Sequence, residues 1–168
     1  MGSYLLIILV YLPFQVCLMT HIPYPYTRLQ SRRYVFISLG RQRIKKVVDF
    51  VPLGIGNIIN LGFGDLLEDG GVDDRVHSNN GDIVRVLATV IDILKHYTSL
   101  HPQAEIYFQG STEERTRLYN RILKTYYSAF SQDFAIAGVT GPEDEPLILP
   151  YNPEFRQGYW AFLIKRIS

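Results

Sequence analysis

Three short stretches hold residue types able to do chemistry. The richest is residues 110–127, GSTEERTRLYNRILKTYY. Ser111 reads as a helix N-cap whose hydroxyl accepts from a first-turn N–H, and Glu114, three residues on, completes a capping box. A helix start also attracts anions, because its unpaired N–H groups and its dipole point the same way. Arg115 and Arg117 follow at once, so Ser111, Thr112, Arg115 and Arg117 form a candidate anion grip. The second stretch is Asn79-Asn80-Gly81, a strong turn signal just ahead of another helix. If both helices open toward the same side of one sheet, Asn79, Asn80 and Gly81 join the first group around a pocket that welcomes negative charge. The third stretch is acidic: Asp65, Asp73 and Asp74 with His77 could bind a metal or move protons. Its spacing fits no zinc pattern, and a solvated acidic loop accounts for it, so no metal site is expected.

The elements that must position these residues are legible from periodicity. Residues 33–39 (RYVFISL) and 44–53 (IKKVVDFVPL) are rich in β-formers and flank a Gly40-Arg41-Gln42 turn. Val47, Asp49 and Val51 share one face of the second strand, and Pro52 places its end at a sheet edge. Residues 57–65 (NIINLGFGD) read as a third strand. Ile59, Leu61 and Phe63 alternate onto one face, while Gly62 and Gly64 leave the other bare, a pattern that admits close approach to the backbone. Residues 67–80 form a polar loop with a short strand expected around 72–76. A helix follows from about Asp82 to Ser99, with Ile83, Val86, Leu87, Val90, Ile91, Leu94 and Tyr97 in one buried stripe. Residues 104–109 form a strand, and 112–128 the capped helix, with Leu118, Ile122 and Tyr126 facing inward beside Tyr119 and Leu123. Residues 134–139 and 158–167 are two further strands around a proline-rich loop at 140–153. The expected fold is α+β: one antiparallel or mixed sheet of five to seven strands backed by two helices, in the order β-β-β-α-β-α-β-β.

Charge and composition exclude little and localise something. The 168 residues suit one domain, and the net charge of +1 gives no global case for nucleic acid. Residues 1–48 contain no acidic side chain but seven basic ones, including Arg41, Arg43, Lys45 and Lys46. These suit a solvated hairpin, or a surface that meets an acidic protein or a nucleic acid. Tyr34, Phe36 and Phe50 lie nearby as stacking candidates, although the sheet needs them for cover. Cys17 is the only cysteine, so no intrachain disulfide or cysteine-rich zinc site forms, and a reducing, cytoplasmic location is the default. Residues 4–19 are apolar but fall short of the ~20 residues a membrane span needs, and Pro13 and Gln15 interrupt them. They lack the basic lead of a signal peptide, whereas the basic residues after them suit a signal-anchor. Met19 opens a proline-punctuated polar stretch that looks like a natural start. Residues 1–18 are accordingly read first as a leader outside the native protein, then as part of a membrane anchor over 4–19, then as a buried strand. Residues 19–168 are the expected domain, and no membrane partner is expected for it.

Two resemblances attach to these motifs. RIKKVVDF, NLGFGD, NNGD followed by a VLATV helix, GSTEERTRLY and a terminal YWAFLIKR strand together resemble a family of small Bacteroidetes proteins of unknown function, over nearly all of residues 34–168. The order of elements also resembles the core of the GCN5-related N-acetyltransferases. That resemblance implies acetyl-CoA as cofactor, its pyrophosphate cradled by a Gly-rich loop where residues 78–82 (SNNGD) stand, and Tyr119 of Leu118-Tyr119 as the acid that protonates the departing thiolate. The sequence departs from that pattern: Gly81 is the only glycine in the loop, and Asp82 stands where a phosphate would be repelled. No P-loop, dinucleotide fingerprint or Ser-His-Asp order is visible. The residues point to a domain that binds a small anionic ligand, such as a nucleotide or CoA-like phosphate, with acyl transfer or a basic interaction hairpin as alternatives.

Overall fold

Strands rich in Val, Ile, Tyr and Phe build one sheet in the computed structural model, which describes residues 21–74 and 80–167. Strands β1 (Tyr26–Gln30), β2 (Arg33–Leu39), β3 (Arg43–Pro52) and β4 (Ile58–Leu66) form an antiparallel meander. The short β5 (Val72–Asp73) folds back onto the end of β4. Then come α1 (Ile83–Leu100), β6 (Glu105–Phe108), α2 (Glu113–Asp133), β7 (Phe134–Thr140), β8 (Leu147–Pro150) and β9 (Ala161–Arg166). The strands lie in the order β1-β2-β3-β4-β6-β9-β7-β8, with β5 beside β4. The sheet is mixed: β4 and β6 are parallel, and the other neighbours are antiparallel.

The fold is α+β, as expected, with more strands than expected. The sheet has nine strands rather than five to seven. Residues 26–30 extend its edge, and β8 forms inside the stretch read as a proline-rich loop, because Leu147–Pro150 pairs with β7. Helix α2 runs to Asp133 rather than 128 and passes into β7 with no intervening loop.

Register decides which residues meet the helices. Tyr34 pairs with Val48 and Phe36 with Lys46. Val48 pairs with Phe63 and Phe50 with Leu61, so all of these share one face. Tyr97 of α1 stacks on Phe50 and Tyr119 of α2 meets Phe108 edge-on, which puts both helices on that face. The aromatic residues near the basic hairpin are thus buried under α1: Tyr34, Phe36 and Phe50 are almost wholly covered. On α2 the innermost residues are Leu123, Tyr126 and Phe130, with Leu118, Tyr119 and Ile122 half-buried toward its start. Among the described residues, no helix is long and apolar enough to cross a membrane; residues 4–19 lie outside them.

Candidate functional site

The site follows from where β6 parts from β4. Leu53 N–H donates to the Ile58 carbonyl at 3.0 Å. In an antiparallel ladder with this register, Ile58, Asn60, Gly62 and Gly64 therefore aim their backbone groups at β3. Ile59, Leu61, Phe63 and Asp65 aim theirs the other way. Strand β6 meets β4 only across Ile58 to Asn60, and β5 only at Asp65 and Leu66. Phe63, lying between, pairs with neither β6 nor any described residue of β5. Glycine serves here at Gly64, where an added Cβ would sit 2.5 Å from the Asp73 carbonyl; the bare face read from the sequence is where β5 crosses.

The gap between β4 and β6 opens into a cleft of about 570 Å³ lined by Asn60, Gly62 and Phe63 of β4, Tyr107 of β6, and Arg115 and Tyr119 of α2. Asn60 and Gly62 belong to the sheet face away from the helices. On the helix side lies a second cavity of about 120 Å³, walled by Lys46, Asp65, Asn80, Asp82, Glu114 and Arg115. Phe63, Arg115 and Tyr119 line both. The beginnings of α1 and α2 therefore share the inner cavity, and the beginning of α2 alone reaches the outer one.

The two helix starts differ. At α1, Asp82 is the N-cap residue, but its carboxylate makes no capping bond. It accepts from the Tyr24 hydroxyl at 2.8 Å and from Ser38 at 2.6 Å. Asn80 is buried and tied to the β2–β3 turn: its amide donates to Ser38 at 2.7 Å and to the Gln42 carbonyl at 2.9 Å, and its carbonyl accepts from Arg41 N–H at 2.8 Å. Gly40 permits this contact, since a Cβ there would lie 1.9 Å from the Asn80 carbonyl oxygen. Gly81 has φ +84, a left-handed conformation that favours glycine. Asn79 and His77 lie outside the described residues.

At α2 the cap is Thr112, not Ser111. Thr112 is extended, and its hydroxyl accepts from Arg115 N–H at 3.3 Å. Ser111 instead donates its hydroxyl to the Asp74 carbonyl at 2.7 Å, which joins the β5 arm to the helix start. The expected capping box is therefore absent, because Glu114 stands two residues after Thr112 and turns to Arg117. Arg117 lies within 3.5 Å of Glu113 and 3.2 Å of Glu114 on the exposed face, so it stands apart from Ser111 and Arg115 at the cleft. Burial raises the Tyr119 phenol above its ordinary pKa, and Arg115 beside it opposes that shift through charge and hydrogen bonding.

Sequence reasoning missed one group here. Lys46, expected on the exposed basic hairpin, is 5% exposed and forms an ion pair with Asp65 at the inner cavity. The signal was its parity with Val48 and Phe50 on the buried face of β3. Arg41, Arg43 and Lys45 remain exposed. Among the described residues no cluster of His, Cys, Asp and Glu could hold a metal ion.

A mixed sheet with a cleft where its single parallel pair separates defines the class of α+β domain. The chain belongs to a family of unknown function, DUF6934, whose model matches residues 20–167. No curated protein and no solved structure matches it.

Proposed function

We propose that the cleft between β4 and β6 binds a slender, small anionic ligand of the nucleotide or CoA type. The observation that carries this reading is the cleft itself, in which Gly62 of β4, Tyr107 of β6, Ser111 and Arg115 converge. A concave slot with a few convergent polar groups is the usual form of a small-molecule site. The ligand's anionic group lies against the start of α2, where Ser111, Thr112 and Arg115 cluster. It avoids the start of α1, because the Asp82 carboxylate already occupies that ground; Asn80 then acts as cavity wall, and Gly81 lines neither cavity.

A thermal-shift screen with phosphate, nucleotides, CoA and acetyl-CoA tests this. A ligand at about 100 times its Kd adds about 2.7 kcal/mol. For a chain of this size that is a rise of roughly 5–11 °C. Arg115→Ala should weaken binding while leaving the fold intact. Equal affinity in that variant, or no shift with any probe at millimolar concentration, would refute the site.

A second reading, acyl transfer from acetyl-CoA, is favoured by the parted parallel strands with Tyr119 between the two cavities. An acceptor amine would attack the thioester carbonyl and give up its surplus proton to water, the C–S bond would break, and the phenol would give its proton to the leaving thiolate and take one back from water. Tyr119→Phe should then abolish thiol release while sparing CoA binding. If acetyl-CoA gives no stabilisation, this reading fails, whatever nucleotides do.

A further inference from the structure

The chain carries two exposed surfaces that complement each other, far apart in the strand order. At one end, Ile37 pairs with Lys45 and Leu39 with Arg43 across β2 and β3. These four share the sheet face away from the helices, beside a groove of about 320 Å³ lined by Thr27, Val35, Ile37, Leu39 and Lys45. Arg41 stands exposed at the turn. Among the described residues no carboxylate pairs with Arg41, Arg43 or Lys45. The patch is aliphatic and basic.

At the other end stands its counterpart. Glu143, Asp144 and Glu145 are exposed and lead into β8, where Leu147 is 55% and Ile148 59% exposed. That segment is aliphatic and acidic. It lies at the sheet edge, yet its edge is poorly suited to adding a strand. Tyr151 N–H donates to the Ile136 carbonyl at 2.9 Å, so with this register Leu149 and Leu147 also aim their backbone groups at β7. Pro146, Ile148 and Pro150 are left facing outward. Two of those three lack an N–H, so an added strand would find one donor. The bare side chains of this segment are better covered by docking on a face than by lengthening the sheet.

We propose that the chain self-associates head to tail, the 143–149 segment of one copy lying on the Ile37–Lys45 and Leu39–Arg43 face of the next. Glu143 and Glu145 meet Arg43 and Lys45, and the β8 aliphatics meet Ile37 and Leu39. A heterologous contact of this kind builds a ring or an open chain rather than a two-fold dimer.

Sedimentation of the full chain across a concentration series tests this. Association should appear at low salt and weaken roughly tenfold between about 50 and 500 mM salt, as expected for exposed charges. The double change Arg43→Glu with Lys45→Glu should give monomers, as should Glu143→Lys with Glu145→Lys. Mixing the two variants should restore association, because each reversed surface then meets a complement. A chain that stays monomeric at low salt and high concentration overturns the proposal. So does association that ignores salt and both reversals, which would place the contact elsewhere. Capture of single-stranded oligonucleotide by Arg43 and Lys45, without self-association, would assign the patch to nucleic acid and overturn it too.

Discussion

Lys46→Met is the sharpest test of how the inner cavity is held. The ammonium of Lys46 is paired with Asp65, and their side chains are 6% and 17% exposed. Methionine keeps much of the stem's volume and removes the charge, which leaves the Asp65 carboxylate without its cation. Breaking a buried pair from one side costs about 3–5 kcal/mol. Asp65 keeps some contact with water, which moves the expectation to about 2–4 kcal/mol. At roughly 2–4 °C per kcal/mol for a domain of this length, the melting temperature should fall by about 4–16 °C. Removing both charges with Lys46→Met and Asp65→Leu should recover most of the loss, because desolvation of the pair disappears with it. Calorimetry and urea unfolding of the wild type, both single variants and the double variant close the cycle. A loss below about 0.5 kcal/mol for Lys46→Met, or costs that simply add in the double variant, would refute the reasoning.

Other variants test neighbouring parts of the site. Thr112→Ala should destabilise by about 1 kcal/mol in urea unfolding, and Ser111→Ala by less, since Thr112 makes the capping bond. Gly40→Ala drives a Cβ to within 1.9 Å of the Asn80 carbonyl oxygen. It should cost at least about 2 kcal/mol and loosen the Asn80 seam, seen as faster amide exchange at Arg41. Lys95, hydrogen-bonded to Asp133, holds that carboxyl below its ordinary pKa. Its contribution to stability is present above the usual carboxylate range and is lost as pH falls through the depressed value. An NMR titration should show the low midpoint in wild type and a normal one in Lys95→Met.

What the sequence made legible was what local chemistry dictates. The α1 stripe, the alternation of Ile59, Leu61 and Phe63, and a helix start after Gly110 all follow from periodicity and capping preference. The strand pairing did not. Four exposed residues in β8 show no inward-outward alternation, so their pairing with β7 had no local signature. Ser111 and Thr112 are both good caps by type, serine slightly the better. The choice fell to Thr112 because the Ser111 hydroxyl is drawn to the Asp74 carbonyl, a contact 37 residues away in sequence. Lys46 was misplaced for a similar reason: its partner, Asp65, becomes a neighbour only once β3 and β4 are in register. The parting of β4 and β6 depends on where two strands stop, which composition does not encode.

What keeps β6 from reaching Phe63 is the abrupt start of α2. Strand β6 ends at Phe108, and α2 begins at Glu113. Between them Gly110 is pressed onto the first turn of α2: a Cβ there would lie 2.3 Å from the Thr116 backbone nitrogen and 2.7 Å from its hydroxyl oxygen. Gly110 N–H also donates to that hydroxyl at 3.2 Å. The chain is thus pulled out of the sheet and onto the helix within two residues of the end of β6, and β6 pairs with β4 no further than Asn60. Gly110→Ala should push the start of α2 away and cost about 1–3 kcal/mol, as overpacking does. Protection of the Tyr107 and Phe108 amides should fall with it, while the β2–β3 ladder stays unchanged. If Gly110→Ala leaves both stability and those amides untouched, the helix start is not what holds the strands apart.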